Sequence, residues 1–155
     1  MKEVFDSHIK ALPILLKTLL EMHPINPISL PQIMPLKGIY LFSENGNHLY
    51  VGRTNNIKKR IQNHCRLGAS HNQATFAFRV ARSDTNQHKA SYKTEGLRKQ
   101  LEDDPIFGPA FIKAKERIRN MELRFVEIND PVLQALFEIY ASMILKTPFN
   151  DFENH

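Results

Sequence analysis

The sequence predicts an α+β fold, and three observations predict it. Two β-rich runs, Lys37–Ser43 and Asn47–Arg53, flank a short loop, Glu44-Asn45-Gly46, which is the pattern of a hairpin. Met121 to Ile128 alternates well enough for a third strand. Most of the other apolar residues recur three and four positions apart, the period of helices. The 155 residues are 42% hydrophobic and 24% charged, without repeats or biased tracts, which is enough to bury a core of ordinary size.

From the N-terminus, Phe5, Ile9, Leu12, Leu15, Leu16 and Leu19 predict a helix over 4–22, which Pro13 should kink or restart. Pro24, Pro27, Pro31 and Pro35 predict an extended connector that isolates this helix from the remainder of the chain. The division is therefore 1–35, then a domain over 36–155. In the hairpin, three loop residues ending in glycine suit a type I turn closed by a bulge. That register sets Ser43 opposite Asn47, Tyr40 opposite Tyr50 and Gly38 opposite Gly52, all on one face. Asn55 to about Leu67 reads as a helix with Ile57 and Ile61 inward and Asn56, Arg60 and His64 as a stripe beside them. Further helices are predicted over 73–82, 88–102 and 109–119. Asp130-Pro131 starts the last helix, which stops near Lys146, ahead of Pro148.

The formal charge of +5, from 21 Lys and Arg against 16 Asp and Glu, favours a polyanionic partner. A single cysteine, Cys65, excludes an internal disulfide and a cysteine-rich zinc site, and fits a reducing, cytoplasmic setting. The apolar stretch 11–20 is interrupted by Lys17 and has no cleavage site, so neither a signal peptide nor a membrane span is expected.

The last helix carries the sharpest anomaly. Val132, Leu133, Leu136, Phe137, Ile139, Tyr140, Met143, Ile144 and Leu145 make it apolar nearly all round, as in a core helix, yet Glu138 sits among them. A carboxylate there is costly unless a cation or several donors meet it. The competing reading is a surface residue on a narrow polar strip with Gln134 and Ser142, which share its four-residue spacing.

Gly38-Ile39-Tyr40, nine residues, then Tyr50-Val51-Gly52 resembles the signature of the GIY-YIG nucleases. Arg60 and His64 sit where that family places an arginine and a histidine or tyrosine on its first helix. Glu138 and, twelve residues later, Asn150 within Lys146-Thr147-Pro148-Phe149-Asn150 look like its closing pattern. The resemblance covers about 37–150. It implies a three-stranded antiparallel sheet flanked by helices, an α/β sandwich that hydrolyses DNA phosphodiesters with one divalent cation, Mg²⁺ or Mn²⁺.

The residues implied as catalytic are Tyr40, Tyr50, Arg60, His64 and Glu138, with Glu138 the metal ligand. Gly52, Arg53 and Asn150 would serve substrate. Tyr40 or Tyr50 would activate water, its phenolate favoured by Arg53, Arg60 and the metal. Arg60 would bind the scissile phosphate and His64 relay a proton or hold a tyrosine. Against these stand plainer roles: strand packing for the tyrosines and glycines, a solvated face for Lys58-Lys59-Arg60, and a cap for Asn150.

The expected partner is DNA, with no membrane and no small-molecule cofactor, for a monomer or homodimer. Arg79, Arg82, Lys89, Lys93, Arg98, Lys99, Lys113, Lys115, Arg117 and Arg119 are candidate phosphate contacts. The alternatives are a catalytically silent nucleic-acid-binding module of the same fold, and an interaction protein that uses its N-terminal helix.

Overall fold

The structure is a computed structural model that describes residues 1–86 and 103–153. Its sheet has three strands, β1 (Gly38–Glu44), β2 (Asn47–Thr54) and β3 (Glu122–Glu127), in the order β2-β1-β3 with both pairings antiparallel. Among the described residues five helices surround it: α1 (Lys2–Glu21), α2 (Ile57–Cys65), α3 (Thr75–Asp84), α4 (Phe107–Arg119) and α5 (Pro131–Leu145). The fold is α+β, with an N-terminal helix ahead of the hairpin. The helix expected over 88–102 lies outside the described residues.

The hairpin turns differently from the expectation. Its loop has two residues, Asn45 at φ 53° and Gly46 at φ 81°, and Glu44 pairs with Asn47. Positive φ at both central positions matches the right-handed twist of the strands, and Asn and Gly are the residues that tolerate it. The extra residue appears further along. The register shifts between Phe42 and Ser43, so that Ser43 faces His48, Phe42 faces Tyr50, and Leu49 is the bulged residue. Tyr40 therefore lies opposite Gly52, and Gly38 opposite Thr54, not opposite Tyr50 and Gly52. The bulge restores the parity that a two-residue loop removes, so Tyr40, Phe42 and Tyr50 share one face.

Each face has its own core. Tyr40, Phe42, Tyr50 and Leu123 pack with Ile57 and Ile61 of α2, Phe76 and Phe78 of α3, and Phe107, Phe111 and Ile118 of α4. Ile39, Leu41, Val51 and Val126 pack on the other side against Leu12, Leu16 and Leu19 of α1 and Phe137 and Ala141 of α5.

The N-terminal helix is thus part of the core and not isolated from it. The connector also joins the sheet, since Ile25 and Leu123 exchange both backbone hydrogen bonds at 2.9 Å. Phe5 and Ile9 stay exposed because the sheet and α5 cover only the second half of α1. The helix runs on through Pro13; that residue and Ile9, whose carbonyl loses its amide partner, are both exposed.

The last helix begins as expected, with Asp130 accepting from the Val132 and Leu133 amides at 2.9 Å and Pro131 in the first turn. It ends at Lys146 in a left-handed conformation, φ 53°. It is not a helix buried on all sides: Val132, Ile139, Met143 and Ile144 are exposed. Its inward face carries Phe137 and Ala141 together with Gln134 and Ser142, so the polar stripe faces the protein. Gln134 satisfies its amide by donating to the Ile128 carbonyl at 2.6 Å.

Candidate active site

The centre of the site is Tyr40, fully buried in the middle strand. Its ring lies over β2 at Gly52, and a Cβ built on Gly52 would land on the Tyr40 ring and hydroxyl. Gly52 is there for room, since its backbone does not need positive φ; Gly38 likewise has no room for a Cβ beside the Val126 carbonyl of β3. The Tyr40 hydroxyl meets His64 Nε2 at 2.8 Å. His64 stands one turn beyond Arg60 on α2, whose first turn is fixed by Asn56 accepting from the Lys59 amide at 3.1 Å.

Burial, then the charges of Arg60 and Arg79, hold the His64 pKa well below 6.5, so the ring is neutral. Among the described residues its Nδ1 has no hydrogen-bond partner. Burial and the neighbouring Tyr50 push the Tyr40 phenol above the ordinary tyrosine value, while Arg60 pulls the other way. The direction is opposite to the expected phenolate, because full desolvation of an anion outweighs the attraction of one guanidinium at this site.

Tyr50 is stacked on Phe76 with centroids 4.6 Å apart and 7° between planes. Its ring is 6.3 Å from that of Tyr40 and 5.9 Å from that of His64. Arg60 donates to the Gln73 carbonyl at 3.2 Å and to Thr75 Oγ1 at 2.9 Å, which ties α2 to the start of α3. Its charge acts on both Tyr40 and His64.

Glu138 lies on the other side of the edge strand, on the inward stripe of α5 between Gln134 and Ser142. Its side chain is 20% exposed and its Oε1 is 3.4 Å from Arg53 Nε. Burial raises its pKa, with Arg53 the first of the charges that oppose this and Arg79 another. Glu138 in turn raises the Tyr40 phenol. The carboxylate on one face of the sheet and the phenol on the other therefore sense each other around β2, beside the glycine.

Asn150 fastens this edge. Its Oδ1 accepts from the Val51 amide at 2.9 Å and its Nδ2 donates to the Val51 carbonyl at 2.7 Å, with Thr147 Oγ1 donating to Oδ1 at 2.8 Å. The Phe149 amide donates to the Leu49 carbonyl at 3.2 Å. The amide is spent on the backbone of β2.

From the sequence, Arg79 is a candidate phosphate contact or ordinary surface charge, not a partner of Tyr50. It donates to the Phe149 carbonyl at 3.0 Å and its guanidinium lies 5.8 Å from the centroid of Tyr50. The signal was its position, three residues after Phe76, on the same side of α3. Thr147 was passed over too. Other basic residues expected to meet phosphates have structural partners: Lys115 is buried, donating to the Leu67 and Ala69 carbonyls, and Arg117 grips Glu44 through two bonds of 2.7 and 2.9 Å. Arg82 is buried, whereas Lys113 is exposed. Lys89, Lys93, Arg98 and Lys99 lie outside the described residues.

Fold and site define an α+β protein with a tyrosine–histidine pair seated in a glycine gap, a nearby arginine and one carboxylate at the sheet edge. Residues 36–104 are a GIY-YIG domain, of nuclease type: they match the model of the GIY-YIG catalytic domain. That segment contains Tyr40, Tyr50, Gly52, Arg53, Arg60 and His64, while Glu138 and Asn150 fall beyond it. Comparison with curated proteins and with solved structures gave no match. No helix among the described residues is long and apolar enough to cross a membrane.

Proposed function

We propose that the chain is a DNA endonuclease that hydrolyses phosphodiester bonds with the help of one divalent cation, Mg²⁺ or Mn²⁺. The observation that supports this reading is the buried Tyr40–His64 hydrogen bond of 2.8 Å beside Gly52, with the charges of Arg60 and Glu138 both acting on the Tyr40 phenol.

The donor set fits such an ion. Among the described residues no group of three or more His, Cys, Asp or Glu could hold a metal, so Glu138 would be the protein ligand. One partly exposed carboxylate suits a hard, well-hydrated cation and not a zinc cage. When bound, the ion would polarise a phosphate oxygen and stabilise the leaving oxygen.

The remaining work falls to side chains. Tyr40 orients the attacking water and takes its proton as its own passes to neutral His64 at Nε2, 2.8 Å away. Burial keeps that imidazole neutral and makes it a weak base, so it holds the transferred proton only during the attack and returns it through Tyr40. Arg60 binds the scissile phosphate through its planar fork and stays charged throughout. Tyr50 is the second hydroxyl able to hold the water. Gly52 seats the Tyr40 ring, Arg53 engages substrate phosphate, and Asn150 braces the strand beneath. Lone, buried Cys65 suits a reducing cytoplasmic setting.

Cleavage of plasmid and single-stranded DNA with Mg²⁺, Mn²⁺ or EDTA tests this, comparing wild type with Glu138→Gln. The expected outcome is metal-dependent cutting that falls at least about a hundred-fold in the variant, the scale of losing a transition-state electrostatic partner. Metal-dependent cutting that survives the substitution would show that the ligand lies elsewhere.

A further inference from the structure

Glu138 is a carboxylate four-fifths covered, on a helix with few polar neighbours, and the cation that meets it is Arg53 at 3.4 Å. Arg53 is of a different kind from the other arginines here. Arg60 and Arg79 are held by backbone and side-chain acceptors on neighbouring elements. Arg53 rises from the next-to-last residue of β2, is 51% exposed, and brings its Nε to 3.4 Å from Glu138 Oε1, while its backbone amide also acts on that carboxylate and would stay in place if the side chain turned away. A long side chain with a fixed stem and a wet head can change partner without disturbing the core.

We propose that Arg53 is a placeholder for the divalent cation: it neutralises Glu138 in the metal-free protein, yields the carboxylate to the incoming ion, and turns to the substrate phosphate. The inference rests on Glu138 being the metal ligand, as proposed above. A bare carboxylate in this setting is unfavourable, so a substitute charge keeps the metal-free site folded and its ligand ionised. The same guanidinium then matches the geometry of phosphate oxygens, which enter as anions at the moment Glu138 no longer needs it. Glu138 and Arg53 sum to zero before the exchange; the divalent ion, Glu138, Arg53 and one phosphodiester sum to +1 after it, an excess that favours the negative charge developing on the phosphate. Arg53 also makes the site selective by competition, since a monovalent ion gains too little from Glu138 to displace a guanidinium already in contact.

The experiment measures Mn²⁺ binding to the full chain without DNA, by the loss of the free-ion electron paramagnetic resonance signal. It compares wild type, Arg53→Gln, Glu138→Gln and Lys58→Gln. A partly exposed ion pair resists displacement by an amount equal to about a two- to five-fold change in affinity. Arg53→Gln is therefore expected to bind Mn²⁺ about two- to five-fold more tightly than wild type, with Lys58→Gln unchanged and Glu138→Gln lacking the site. If Arg53→Gln binds equally or more weakly, or if Lys58→Gln tightens as much, Arg53 is no placeholder even though Glu138 remains the ligand. If Glu138→Gln binds as wild type does, the metal assignment itself fails and this inference falls with it.

Discussion

Replacing Gly52 with alanine puts a methyl group where the Tyr40 ring now lies. The ring is wedged: its hydroxyl bonds His64 at 2.8 Å, and Phe42 meets it edge-on with centroids 5.8 Å apart. Overpacking of a filled core costs roughly 1–3 kcal/mol, and losing the Tyr40–His64 bond about 1 more. The sum, about 2–4 kcal/mol, lowers the melting temperature of a domain of this length by about 5–15 °C. Thermal and urea melts followed by circular dichroism read this directly. A double-mutant cycle isolates the cause. In a Tyr40→Leu background the methyl has room, and Gly→Ala within a strand then costs under about 0.5 kcal/mol or stabilises. Equal penalties in the two backgrounds would refute the wedge. Under the proposed mechanism a hydroxyl displaced by about 1 Å also costs about a hundred-fold in cleavage.

Three further outcomes are expected from the packing. Asn150→Ala leaves the Val51 amide and carbonyl without their side-chain partners, so stability should fall by about 2–3 kcal/mol and the Val51 amide should lose protection in hydrogen exchange. Leu19→Ala empties a fully buried position under the sheet and should cost about 2–5 kcal/mol in a urea melt; a cost near zero would mean that α1 does not share the core. Stability should also fall as pH drops below 6.5. His64 takes up its proton far less readily folded than unfolded, so below that pH the unfolded chain binds the extra proton and gains. Urea midpoints at pH 7 and pH 5 should differ more in wild type than in His64→Gln.

The hairpin shows what a sequence can and cannot tell about a site. Periodicity correctly placed both tyrosines on one face, although by a register that does not occur. The assumed loop placed the irregularity at the turn; Asn45 tolerates positive φ well enough to shorten the turn, and the extra residue reappears as the bulge at Leu49. Parity survived because either arrangement inserts a single residue. The reading of α5 missed for another reason. Composition showed an anomalous Glu138 among apolar residues, but direction depends on what the helix faces, and Gln134 and Ser142 turn inward because the Ile128 carbonyl and the helix's own Glu138 carbonyl accept from them. The burial of Lys115 was invisible because charge counting assumes solvent; its ammonium is instead taken up by two carbonyls of the loop after α2 and the face of Phe111, 3.8 Å away. Covering of the sheet by α1 could have been anticipated: Ile39, Leu41 and Val51 are an apolar face that some element had to shield.

The two bonds from Asn150 also protect the molecule from its own kind. β2 is the outermost strand on its side, and an outermost strand presents unpaired amides and carbonyls that invite a strand from another copy. Here a tail of Phe149 and one side-chain amide occupies those groups at Leu49 and Val51, imitating a fourth strand only two positions long. A margin covered in this way no longer offers those groups to a strand from another copy.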